Sequence, residues 1–79
     1  MNTEVEFLKY VVENLVNNKE DISIDRKEDE LWILLTLKVN SEDMKYIIGK
    51  GWNVVNSIRN LLKILGLKLN KRINLKVEW

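Results

Sequence analysis

The residues in this chain best placed to do chemistry lie in Ile47–Ile58, which reads I-I-G-K-G-W-N-V-V-N-S-I. An apolar half-helix runs into a short glycine turn with one lysine, and a second amphipathic helix begins at once. A turn of this kind leaves backbone N–H groups free at the start of the second helix. With the positive end of the helix dipole behind them, such groups suit a phosphate. Lys50 adds a mobile positive charge beside them. The turn is a candidate clamp for a nucleic-acid backbone. A plain connector between two helices is the other reading of the same residues.

Other chemistries have little to work with. The chain has no cysteine and no histidine, which removes disulfides, thiolate metal sites, the commonest general base and the commonest metal ligand. An enzyme would need carboxylates paired in a pocket. The acids lie instead on the first predicted helix, around a predicted hairpin and at a helix start, where solvation or capping accounts for them. We therefore expect a non-catalytic protein with no cofactor and no metal site. Its 79 residues, 46% hydrophobic, suffice for one small domain with a thin core. No segment approaches bilayer-spanning length. The first residues carry Glu4 and Glu6 rather than a basic region and an apolar run, so the expected setting is the cytoplasm.

The net charge of +1 hides an asymmetry. Residues 1–40 hold nine acids and five bases, and residues 41–79 hold three acids and eight bases. Between Met44 and Val77 there is no acid at all, and all eight of those bases lie there: Lys45, Lys50, Arg59, Lys63, Lys68, Lys71, Arg72 and Lys76. A local field of one sign attracts a polyanion even when the total charge is near zero, and the glycine turn sits inside this basic half.

Around the turn, the pattern reads as six elements. Thr3-x-x-Glu6 is a capping box, followed by Val5, Leu8, Val11, Val12, Leu15 and Val16 at helical spacing to about Asn17. Ile22–Arg26 alternates as a short strand, Lys27–Glu30 is a charged turn, and Leu31–Val39 is a longer strand. Its odd positions, Leu31 to Val39, point into the core; Trp32, Leu34, Thr36 and Lys38 point outward. Ser41 reads as the N-cap of a short helix, with Glu42 and Asp43 in its first turn. Met44, Ile47 and Ile48 face inward, and Gly49 stops the helix. The next helix runs from about Asn53 to Leu65, with Gly66 as a left-handed C-cap and Leu67 folded back onto Leu62. After a basic connector, Lys68–Arg72, the run Ile73–Trp79 is a last strand. The first two strands form a hairpin. The two helices joining the second strand to the third allow those strands to lie parallel. Helices then cover one face of a three-stranded mixed sheet, leaving Trp32 and Leu34 on the open face as a candidate partner interface. Trp79 continues the inward stripe of Ile73, Leu75 and Val77.

This α-β-β-α-α-β order resembles a type II KH domain, an α+β fold. Nearly the whole chain resembles the small bacterial single-KH proteins of the KhpA family. The resemblance is carried by the opening helix, the asparagine- and acid-rich turn, the hairpin, S-E-D-M-K-Y-I-I-G-K at 41–50, S-I-R-N-L-L at 57–62 and K-R-I-N-L-K-V-E at 71–78. It implies binding of single-stranded RNA, with a G-x-x-G loop gripping about four nucleotides of backbone beside an apolar groove. The loop maps onto Gly49, Lys50, Gly51 and Trp52. Ile48 and Val55 would help form the groove floor, Lys45, Arg59 and Lys63 would add positive charge, and Asn53 stands where the family has a basic residue. The resemblance also implies post-transcriptional regulation, self-association, and partnership with a larger KH protein called KhpB or Jag. The loop departs from the family pattern: its second glycine comes one place early, at Gly51, and Trp52 holds the fourth position. The indole could obstruct the phosphate path or stack on a base. A KH-shaped protein–protein module that has lost its RNA grip is the alternative that Trp52 and the Trp32–Leu34 patch leave open.

Overall fold

A computed structural model describes residues 3–78, with Lys50 and Gly51 described in their backbone only. The expectations for Trp79 and for the Lys50 side chain lie outside the described residues.

The core is set by three stripes of apolar side chains. Helix α1 (Thr3–Glu13) buries Leu8 and Val12, and Val16 follows in the turn beyond it. Helix α3 (Trp52–Leu69) buries Val55, Ile58, Leu62 and Gly66, at spacings of three and four. Strand β2 (Trp32–Lys38) sits at the centre of the sheet, antiparallel to β1 (Ser23–Glu28) and parallel to β3 (Arg72–Glu78). Ile33 and Leu35 on β2 are fully buried and pair in register with Ile73 and Leu75 of β3. Burying such a side chain is worth about 1.5–3 kcal/mol. A one-residue slip would put Trp32, Leu34 and Thr36 in their place, so the register is strongly specified.

The topology, the central strand and its inward stripe agree with the sequence reading; several element ends do not. Leu31 precedes β2 and is 67% exposed, because Asp29 accepts the N–H groups of Leu31 and Trp32 and turns the chain there. Lys27 and Glu28, expected in the turn, belong to β1. Helix α1 ends at Glu13 rather than Asn17. Asn40, not Ser41, is the cap: its side chain accepts the Glu42 N–H, and Ser41 already opens the 3-10 turn Ser41–Asp43.

The C-terminus of α3 differs from the expectation. Gly66 lies inside the helix, and the left-handed residue is Asn70, at φ 55°. The Asn70 N–H donates to the Leu67 carbonyl and the Lys71 N–H to that of Gly66, which completes a Schellman motif with asparagine at its turning point. Gly66 is needed for a different reason. A Cβ there would lie 2.4 Å from the Lys71 carbonyl oxygen, so the close return of the chain requires glycine. Leu67 does not fold back onto Leu62; it is 78% exposed.

Two buried acids tie the elements together. Glu4 accepts from Arg26 Nε at 2.7 Å, joining α1 to β1, and Arg26 also reaches Glu28 at 3.0 Å. Glu28 in turn pairs with Lys71, which also donates to the Asp29 carbonyl. The Lys71 ammonium, and after it the Arg26 guanidinium, hold the Glu28 carboxyl below its ordinary range. A lowered folded-state pKa adds stability above the unfolded value and loses it as pH falls through the folded one. Thermal melts should therefore show stability dropping on acidification below about pH 4, with a shallower drop in Glu28→Gln. The second buried acid, Asp43, accepts the backbone N–H groups of Asn17 and Asn18 at 3.2 and 3.1 Å and the Asn18 side chain at 3.2 Å.

Candidate nucleic-acid interface

The expected stop at Gly49 is absent. The 3-10 turn Ser41–Asp43 leads into α2 (Met44–Tyr46), and α2 passes into α3 through a π-helical turn, Ile47–Gly51. Turns of this kind close through i→i+5 hydrogen bonds and recur at functional sites. The expected separate helix start is not formed, because the chain passes from α2 into α3 without a break. What faces outward is a set of side chains around Gly49. Apart from its chain neighbours and the local helix backbone, no heavy atom of the described residues lies within 4 Å of where a Gly49 Cβ would stand, and its φ is not positive. The fold therefore has no steric need for glycine at that position.

Ile48 is 54% exposed rather than facing inward, a position compatible with lining a groove. Lys45 is exposed, with its ammonium 5.4 Å from the Tyr46 ring centroid. Tyr46 is fixed from the other side, where its hydroxyl accepts from the Asn17 side chain. Asn53 is exposed at the start of α3. Val55 is not a groove-floor residue: it is 2% exposed and points into the core, because it shares the helix face of Ile58 and Leu62.

Trp52 is 39% exposed, and the Arg59 guanidinium stands 5.7 Å from its ring centroid, two turns along α3. Arg59 is itself held. It donates to Asn56 Oδ1 and, across to the sheet, to the Leu75 carbonyl, each at 3.3 Å. The pair thus occupies the wall between α3 and β3. Lys63, one turn further on, borders a hollow of about 440 Å³ with Trp32, Ile64, Leu67, Arg72, Ile73 and Asn74. Of the eight bases in the acid-free half, Lys71 and Lys76 are paired with Glu28 and Glu78. No ion pair among the described residues takes up Lys45, Arg59, Lys63 or Arg72.

The sequence reading missed the pairing of Trp32 with Arg72. The guanidinium lies 5.5 Å from the indole centroid, because the parallel register sets residue 72 beside residue 32. Matching the apolar stripes of the two strands would have revealed it.

Three helices on one face of a three-stranded mixed sheet, with a glycine turn between the second and third, define a small KH domain. The model of the KhpA/KhpB KH domain matches residues 5–77, and the chain belongs to that family. Among its relatives are proteins named RNA-binding protein KhpA. The one from Borreliella burgdorferi is 30% identical over 74 residues, covering 94% of this chain and 90% of its own. That from Clostridium perfringens is 32% identical over 72 residues, covering 91% and 96%, and that from Listeria monocytogenes 33% over 72, covering 91% and 95%. No solved structure gives a significant match.

Proposed function

We propose that this protein binds single-stranded RNA without chemistry, in the cytoplasm, as part of post-transcriptional regulation. The variant loop Gly49-Lys50-Gly51-Trp52 meets the sugar–phosphate backbone, and Lys45, Ile48, Asn53, Arg59 and Lys63 flank the strand. Membership of a family whose relatives are named RNA-binding proteins supports this reading. So does the absence, among the described residues, of any helix long and apolar enough to cross a membrane.

The observation that carries it is Gly49. Glycine within a helical segment costs about 0.5–1 kcal/mol relative to alanine, and nothing in the fold asks for it here. It keeps the surface low beside Lys45 and the Trp52–Arg59 pair, where a backbone can approach closely. Gly49→Ala should therefore raise the melting temperature by a few degrees and weaken RNA binding several-fold. The measurement is fluorescence titration with short single-stranded RNAs at two salt concentrations. Micromolar binding at low salt that weakens as salt rises is expected. No binding at low salt, or an alanine variant that binds as well as the natural protein, would refute the reading.

A second reading, a KH-shaped interaction module forming a homodimer or pairing with a larger KH protein of the KhpB/Jag type, draws on Trp32 and Leu34. They are 42% and 37% exposed on the open sheet face. Sedimentation of the purified protein tests its self-association.

A further inference from the structure

We propose that the end of the molecule away from the glycine turn rests on an anionic lipid bilayer. Leu31, Trp32, Ile64 and Leu67 enter the interface, and Lys63, Lys68 and Arg72 meet the headgroups. Such a contact does not depend on RNA binding.

Leu31, Ile64 and Leu67 are each more than half exposed, and Trp32 is 42% exposed. Two hollows join them into one patch. The first, of about 410 Å³, is bordered by Leu31, Trp32 and Leu67, and the second, of about 440 Å³, by Trp32, Ile64 and Leu67. The patch forms where two elements end. Leu31 stands just before β2 because Asp29 turns the chain there. Leu67 lies in the last turn of α3, next to the Gly66 that lets the Lys71 carbonyl approach. From Trp52 to Leu67 is about 22 Å along the helix, so a surface met here leaves the glycine turn clear.

Charge selects the occupant. The sequence has no acid between Asp43 and Glu78, so every charge that α3 and β3 up to Val77 bring to this end is positive. Lys63, Lys68 and Arg72 are exposed, and none belongs to an ion pair among the described residues. In the neighbouring turn, Glu28 is held by Arg26 and Lys71, and Asp29 accepts the Leu31 and Trp32 N–H groups. Glu30 alone is left to oppose three cations. An anionic bilayer offers apolar depth to the aliphatic side chains and negative headgroups to lysine and arginine, whose stems reach outward from an apolar bed. An indole with a guanidinium 5.5 Å from its centroid suits the headgroup level, where one side is apolar and the other wet. A second copy of this chain offers the apolar half only, because a two-fold contact here sets cation against cation.

The test is flotation with vesicles of phosphatidylcholine alone and of phosphatidylcholine mixed with phosphatidylglycerol. It compares the natural protein with the double variants Ile64→Ser/Leu67→Ser and Lys68→Glu/Arg72→Glu. The natural protein should float with the mixed vesicles, bind the neutral ones at least about tenfold more weakly, and come off as salt rises. Each variant should lose about tenfold on the mixed vesicles. All four substituted positions are exposed, so both variants should melt close to the natural protein. Failure to float with the mixed vesicles, equal binding to both kinds, or a folded variant that floats as well as the natural protein would each overturn the proposal. A change in sedimentation of lipid-free Ile64→Ser/Leu67→Ser, with no vesicle binding by the natural protein, would make the patch a protein interface instead.

Discussion

Asp43→Ala is expected to lower the free energy of unfolding by about 3 kcal/mol. Asp43 is 1% exposed, and its two carboxylate oxygens receive three N–H donors, two of them from the backbone of Asn17 and Asn18. A hydrogen bond to a charged group contributes about 1.5–3 kcal/mol when its loss strands a buried partner. The site is only part-buried on the asparagine side, so two backbone bonds at the lower end of that range set the figure. For a domain of this size, 3 kcal/mol corresponds to a fall in melting temperature of roughly 12–24 °C and a large share of total stability. Asp43→Asn, which keeps one acceptor oxygen, should lose about half as much. Urea unfolding of the three proteins measures both. A loss below about 1 kcal/mol for alanine would mean that solvent satisfies the Asn17 and Asn18 amides as well as Asp43 does.

Asp43 also marks the boundary of what local sequence conveys. At a helix start an acid looks like a partner for the dipole, and Glu4 in the first turn of α1 looks the same. Their true partners, Asn17, Asn18 and Arg26, are more than twenty residues away, and no local pattern encodes that pairing. Strand alternation, by contrast, is a strictly local signal. Ile33, Leu35 and Leu37 announced the central strand and its inner face, and the parallel crossover followed from the two helices behind it. The ends of α3 differ from the local pattern for a chemical reason. Glycine is the stronger C-cap residue, so the local pattern favours Gly66 over Asn70 as the cap, although Gly66 is there to let the Lys71 carbonyl approach. The same bias toward glycine as a stop predicted a break at Gly49, where the chain instead winds through a π turn. The acid-free half was plain from composition. That Arg59, Lys63 and Arg72 lie along α3 and β3 with two tryptophans needed the register of β3 against β2 and the direction of α3 across it.

Replacing Trp52 decides how this variant loop is used. The resemblance implies glycine at that position, so under the proposed function the indole either adds a contact or obstructs one. Its surroundings favour a contact. The ring is 39% exposed and carries Arg59 at 5.7 Å, and Arg59 is fixed by Asn56 and the Leu75 carbonyl rather than free to fold away. A ring held in this way is ordered before any base arrives, which spares the entropy of fixing it on binding. Stacking on an aromatic side chain is worth about 1–3 kcal/mol per base, so Trp52→Gly should weaken RNA binding by roughly ten- to a hundredfold. Glycine in the first turn of α3 also lowers helix stability by up to about 1 kcal/mol, so Trp52→Leu serves as the partner variant. It preserves the helix and should lose nearly as much affinity, while Trp52→Phe retains most of it. A gain in affinity on Trp52→Gly would mean that the indole occupies the phosphate path, and the protein would then act through its protein contacts instead.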